Sequence, residues 1–129
     1  MNKEKLIRDL CARLPYGVKV LYDNKVFSID YVSSIHEEIK LDTRDNYTIN
    51  VSDVKPYLFP LSSMTEEQKK EYRKVCELDT EILSKHPMDG TPFPALYNSQ
   101  DWLNKNHFDF RGLIEESLAL DATNLGIYE

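Results

Sequence analysis

Gly17-Val18-Lys19-Val20-Leu21-Tyr22-Asp23-Asn24-Lys25-Val26-Phe27-Ser28-Ile29-Asp30-Tyr31-Val32 is the stretch that decides the fold. Residues rich in β-branched and aromatic side chains flank Asp23-Asn24-Lys25, whose first two members tolerate left-handed or Asx-turn geometry. Runs 18–22 and 26–32 therefore read as a β-hairpin. In the second run Phe27, Ile29 and Tyr31 share one face, expected to meet the core with Val18, Val20 and Tyr22. Moving outward, Ser33-Ser34 is a second connection and 35–41 a third strand. Residues 42–46 form a polar turn and 47–51 a fourth strand. Four short strands with tight turns predict an antiparallel meander over 17–55. Such a sheet curls as a small SH3-like barrel or lies on a helix.

Upstream, Leu6, Ile7, Leu10, Cys11 and Leu14 recur at the spacing of one apolar helix face, predicting a helix over 3–14. Lys3, Glu4, Arg8 and Asp9 fall on the other faces, and Pro15 stops the helix. Downstream, Pro56 and Pro60 are expected to take residues 52–60 out of the sheet. Thr65-Glu66-Glu67-Gln68 is a capping box opening a helix over 65–84, with Tyr72, Val75, Cys76, Ile82 and Leu83 as its buried stripe. Pro87-Met88-Asp89-Gly90 ends it, and Thr91-Pro92-Phe93-Pro94 is a rigid loop. Ser99 is expected to cap a short helix burying Trp102 and Leu103, and Asp109 a second one burying Leu113 and Ile114. Residues 118–122 then run extended or as an irregular tail. The expected architecture is a single α+β domain over 1–129, with a mostly helical region at 62–118.

The composition narrows the chemistry. Sixteen Lys and Arg face 22 Asp and Glu, a net charge of −6, with −5 of it in residues 89–129 and a local +2 in residues 1–14. This balance opposes general phosphate-backbone binding. No apolar run approaches the roughly 20 residues that span a bilayer, and the first residues lack the pattern of a secretory signal. Cys11 and Cys76 stand outside any CxxC pair and are expected as small buried hydrophobes in a reducing cytoplasm.

No phosphate-cradling glycine motif and no G-x-S-x-G elbow occurs. His36, His86 and His107 lack partners at zinc-ligand spacing, so no metal and no cofactor is expected. His107, Asp109 and Arg111 form the best polar constellation: in an extended segment they share a side, with Phe108 and Phe110 opposite. An Asp can orient a His and an Arg can hold an anion, but a helix cap at Asp109 explains the same residues more simply. Eight tyrosines are unusual. Tyr22, Tyr31, Tyr47 and Tyr57, with Phe93, form the candidate interaction surface, since tyrosines anchor protein partners or stack bases.

Two segments carry a resemblance. Residues 54–67, VKPYLFPLSSMTEE, and the stretches DWLN (101–104) and HFDFRGLIE (107–115) resemble signatures of a group of small phage and prophage proteins of Bacteroides-type gut bacteria. LCARLPYGVKV at 10–20 resembles the segment with which that group tends to open. Ser117 stands where a glycine is common in the group. The resemblance implies a phage-associated protein in the cytoplasm of a bacterial host. The group has no established activity, so no catalytic residue is carried over. The expected function is a non-catalytic accessory protein that binds a phage or host protein and no membrane. A nucleic-acid module using the small barrel, and an enzyme built around His107 or His36, are the alternatives.

Overall fold

The structure is a computed structural model that describes residues 2–43, 48–85 and 98–129. Helix α1 (Lys3–Arg13) starts where the Asn2 side chain accepts a hydrogen bond from the Lys5 backbone N–H. It runs into a 3-10 turn, Leu14–Tyr16, with Pro15 inside it. Gly17, at φ +71°, then reverses the chain in the left-handed conformation that glycine adopts without steric cost. Strand β1 (Lys19–Tyr22) pairs with β2 (Lys25–Ser33) across Asp23 and Asn24. Both turn residues have positive φ, as a two-residue hairpin with right-handed strand twist requires.

Strand β2 serves two partners. Its first half pairs with β1 and its second half with β3 (Glu38–Leu41). The register shifts between Ile29 and Tyr31. An extra residue at that point breaks the two-residue alternation. Ile29 is buried as expected and Phe27 is half-buried, but Tyr31 is 48% exposed. The third strand is also shorter than 35–41. Residues 34–37 form the turn, with Glu37 at positive φ and the Ser33 hydroxyl accepting from the His36 N–H. This leaves Ile35 87% exposed at the tip.

Strand β4 (Ile49–Asn50) pairs with β3, and a 3-10 turn (Val51–Asp53) capped by the Asn50 side chain leads to β5 (Lys55–Pro60). Contrary to the expectation from its prolines, this segment belongs to the sheet. Pro56 and Pro60 stand near its two ends, and Tyr57, Leu58 and Phe59 between them keep their N–H groups. Strand β5 returns antiparallel to β1 and runs parallel to two strands from the C-terminal region, β6 (Phe108–Asp109) and β7 (Leu120–Asp121). The class is α+β, as read from the sequence. Among the described residues the sheet is open and seven-stranded, in the order β4-β3-β2-β1-β5-β6 with β7 on β5, and is not a clear four-stranded barrel.

Helix α2 (Glu66–Lys85) opens with the expected capping box: Gln68 Oε1 accepts from the Thr65 N–H, and Thr65 Oγ1 from the Gln68 N–H. Tyr72 and Val75 pack on Trp102, Leu103 and Phe108, the second of two apolar clusters. The side chains of Ile82 and Leu83, the turn at 87–90 and the Pro92–Pro94 loop lie outside the described residues. Helix α3 (Asn98–Lys105) buries Trp102 and Leu103, but Asp79 of α2, rather than Ser99, supplies the cap by accepting from the Ser99 N–H.

The main cluster joins Leu6, Ile7 and Leu10 of α1 to Val18, Val20, Ile39, Val54, Leu58 and Leu113. Two expectations for α1 fail together. Cys11 is exposed and Asp9 is fully buried, with Arg13 beside it. The helix meets the sheet on one flank and the C-terminal region on the other, so its covered face is wider than the apolar stripe and takes in an ion pair.

The second C-terminal helix is reduced to consecutive turns at 113–117. Gly112 at φ +76° precedes them, and Ser117 at φ +61° ends them by turning the Leu118 N–H back onto the Leu113 carbonyl at 2.8 Å. A serine held left-handed costs about 1–2 kcal/mol that glycine avoids, offset in part by glycine's greater freedom when unfolded. Ser117→Gly is expected to raise stability by roughly 0.5–1 kcal/mol in urea unfolding. A loss of stability contradicts the strain assigned to this turn.

Candidate functional site

Asp9 and Arg13 lie one helical turn apart on α1, and neither side chain is exposed. Arg13 Nε donates to both carboxylate oxygens of Asp9 at 3.0 Å. Its Nη2 donates to the Phe108 carbonyl at 2.6 Å and Nη1 to the Leu103 carbonyl at 3.5 Å. Arg111 Nη1 reaches Asp9 Oδ1 at 2.7 Å and Asn104 Oδ1 at 3.3 Å, and its guanidinium lies 4.2 Å from the centre of the Phe110 ring. Burial pushes the Arg13 pKa down, while Asp9 opposes that shift. One carboxylate thus serves two guanidinium groups, and backbone carbonyls accept from the rest of Arg13. The Asp9–Arg13 pair was legible only as opposite charges four residues apart beside an apolar stripe.

His107, Asp109 and Arg111 take different partners. His107 has φ +62°, so the two-residue alternation starts only at Phe108. Arg111 belongs to the Asp9 network. Asp109 accepts from the Leu113 N–H through Oδ1 and from the Ile114 N–H through Oδ2, each at 2.9 Å. That is the capping role expected for Asp109, applied to a turn instead of a helix.

His107 is 7% exposed and holds the β6 start in place. Its N–H donates to the Asn104 carbonyl, and its carbonyl accepts from the Phe59 N–H at 2.8 Å. Its ring stacks on Tyr128, with centres 3.8 Å apart and planes 11° apart. Tyr128 donates its hydroxyl to the Tyr57 carbonyl at 2.6 Å and accepts from the Lys19 N–H at 3.0 Å, tying the C-terminal end to β5 and β1. Burial raises the Tyr128 pKa to about 12. Burial and the positive charge of Arg13 lower His107 from 6.5 to about 4, so the imidazole is neutral at pH 7. Such a group is a poor general base near neutrality. His107 Nδ1 is buried without a hydrogen-bond partner. His107 is among the residues lining a cleft of about 490 Å³ between residues 122–129 and Tyr16, Phe59, Gln68, Lys105 and Asn106. Nothing in the sequence marked Tyr128 as the partner of His107, because the contact spans 21 residues without a local pattern.

The candidate interaction residues divide. Tyr57 is 8% exposed, a core residue of a central strand rather than a surface anchor. Tyr31 is exposed beside Lys40 on β3. Tyr22 packs against Phe27, with ring centres 6.4 Å apart. These two, with Leu41 and Ile49, line a groove of about 320 Å³ rimmed by Asp23, Lys25 and Thr43. Tyr47 and Phe93 lie outside the described residues. His36 is exposed in the β2–β3 turn. Among the described residues no three His, Cys, Asp or Glu side chains group to hold a metal ion, and no helix is long and apolar enough to cross a membrane. No family model, curated protein or solved structure matches the chain.

Two outcomes follow from these charges. Asp9→Ala leaves two guanidinium groups facing each other and is expected to cost about 3–5 kcal/mol in urea unfolding. Glu4→Ala, which removes the exposed Glu4–Arg8 pair, is expected to cost less than about 1 kcal/mol; equal losses contradict the assignment. For His107 the folded pKa is depressed, so between pH 6.5 and about 4 the unfolded chain takes up a proton that the folded chain excludes. Its contribution is complete above pH 6.5 and falls as pH drops through that window. Stability measured against pH is expected to fall less steeply there in His107→Gln, and an unchanged slope contradicts the burial of a neutral imidazole.

Proposed function

We propose that this chain is a non-catalytic interaction protein that receives a short apolar segment of a partner protein in the groove formed by Tyr22, Phe27, Leu41 and Ile49. The groove is the observation that carries the reading. Among the described residues its apolar walls are aromatic and aliphatic, and its rim carries one acid and one base, Asp23 and Lys25. That lining suits an uncharged peptide surface better than a phosphate backbone, which needs clustered cations.

Strand order also supports reading β1–β5 as a small, incompletely closed SH3-like barrel. Strand β5 lies next to β1, a 3-10 turn separates β4 from β5, and β2 is shared between two halves of the sheet at its register shift. The hairpin end of β1–β2 and residues of β3 and β4 line one groove although β1 and β4 are not neighbours, as a curled sheet requires. The resemblance of residues 54–67 and 107–115 to the phage group supports a phage accessory protein acting in the host cytoplasm.

The test is photo-crosslinking from position 25 of the full chain in lysate of phage-infected host, with and without nuclease. Tyr22→Ser serves as the groove variant, its folding checked by thermal melting. One discrete protein adduct is expected, resistant to nuclease and reduced about tenfold by Tyr22→Ser, the loss of roughly 1.4 kcal/mol of contact. An adduct abolished by nuclease supports the nucleic-acid reading instead, and equal capture by the variant removes the groove from the account.

A further inference from the structure

We propose that the seat of Tyr128 is a binding site for a phenol ring, filled in this structure by the chain's own strap of residues 123–129, and that a tyrosine-bearing segment of a partner protein takes the seat when the strap lets go. Two observations carry this. The first is that the seat is built for a phenol. Strand β5 pairs with β1 through Val20–Pro56 and Leu21–Lys55, then passes to β6 at Phe59. Continuing the first register by one residue brings Lys19 opposite Tyr57, and there the Tyr128 hydroxyl bridges the two strands. It accepts from the Lys19 N–H at 3.0 Å and donates to the Tyr57 carbonyl at 2.6 Å. A hydroxyl can do both through one oxygen, whereas an ammonium has no acceptor and a carboxylate no proton to give. The ring is held on the His107 imidazole, 3.8 Å between centres, and beside Phe59, 5.9 Å away and tilted. The seat therefore reads the hydroxyl as well as the ring.

The second observation is that little else holds the strap. Ala122, at its root, is tied to the sheet by its N–H on the Leu58 carbonyl at 2.8 Å. Beyond that point the Thr123 N–H turns to Asp121 Oδ1 and the Leu125 N–H to the Ala122 carbonyl. Among the described residues, the hydrogen bonds of 123–127 thus stay within the strap and its root. Leu125 is exposed, and left-handed Asn124 and Gly126 turn the chain back so that Tyr128 returns to the sheet. Neither apolar cluster includes a residue of the strap, and neither does the Asp9–Arg13–Arg111 network.

A segment with few buried contacts opens locally, at a lower free energy than the whole domain. Opening leaves the Lys19 N–H and the Tyr57 carbonyl bare beside two aromatic faces, and a tyrosine from outside makes the same contacts. The strap is a competitor held at high effective concentration by its own chain, so it masks the seat against weak ligands. The seat lies where β5 changes partner, apart from the Tyr22–Phe27 groove, so either site stands without the other.

The experiment uses the full chain and its Tyr128→Gly variant, with p-cresol, toluene and a synthetic peptide of the sequence of residues 122–129, read at the Lys19 amide by NMR. In the variant p-cresol is expected to shift that amide saturably, and toluene, which lacks the hydroxyl, to bind about tenfold more weakly. The peptide is expected to bind the variant about tenfold more tightly than the wild type, whose own Tyr128 competes. In the wild type without ligand, the Lys19 N–H is expected to exchange with solvent about a hundredfold faster than the buried Leu10 amide of α1. Toluene binding as well as p-cresol, equal binding of the peptide to both chains, or a Lys19 amide as slow as Leu10 overturns the proposal. A Tyr128→Gly chain that does not fold overturns it as well, because the strap must be dispensable to the rest, and the wild-type exchange rates test that point on the native chain.

Discussion

A buried carboxylate shared by two guanidinium groups is the constraint on which the rest of this structure depends. Asp9 and Arg13 sit on the first helix of the chain, while Arg111 and the carbonyls of Leu103 and Phe108 come from a segment about a hundred residues later. Charges removed from water are tolerated only when paired and hydrogen-bonded, so the helix and the segment must meet in one orientation. Apolar contacts alone would allow α1 to rotate or slide on the sheet. Because breaking such a network leaves an uncompensated charge, its main contribution is to fix position, with Leu6, Leu10, Val20 and Leu58 supplying the hydrophobic stabilisation around it.

Position is transmitted outward from there. The Phe108 carbonyl held by Arg13 belongs to β6, which pairs with β5 at Phe59. His107 precedes it, so the same anchor sets the depth of the imidazole, and burial, with the nearby charge of Arg13, keeps it neutral. Tyr128 then closes over the ring and reaches β1 and β5 through its hydroxyl. The cleft and the sheet groove lie on different parts of this frame. The groove is built by the β1–β2 hairpin and its neighbours, and its apolar residues Tyr22, Phe27, Leu41 and Ile49 all belong to or pack against the main core.

Much of the local structure was legible because its causes are local. Asp23-Asn24 demanded a tight hairpin, Pro15 a helix stop, Thr65 with Gln68 a capping box, and Asp109 a cap. Each acts on a backbone group within a few residues. What escaped was set by distant partners. The extra residue near Asp30 turns Tyr31 outward, and nothing in a regular alternation signals it. Strand β5 is completed by β6 and β7, so its prolines misled until those partners were in place. Of the candidate site, Tyr22 lines the sheet groove and packs against the main core, whereas Tyr57 was assigned to the surface because tyrosine alone does not reveal that its strand is central. His107 was singled out, but its left-handed backbone and its stack with the distant Tyr128 are features that the sequence does not announce.

The most direct measurement of the central claim is a double-mutant cycle between Asp9 and Arg111, using Asp9→Asn and Arg111→Met singly and together in urea unfolding at neutral pH. A network that joins the first helix to the C-terminal segment predicts a coupling free energy of about 1–3 kcal/mol between these positions. Effects that add to within about 0.5 kcal/mol contradict it, because residues that do not share an interaction behave independently.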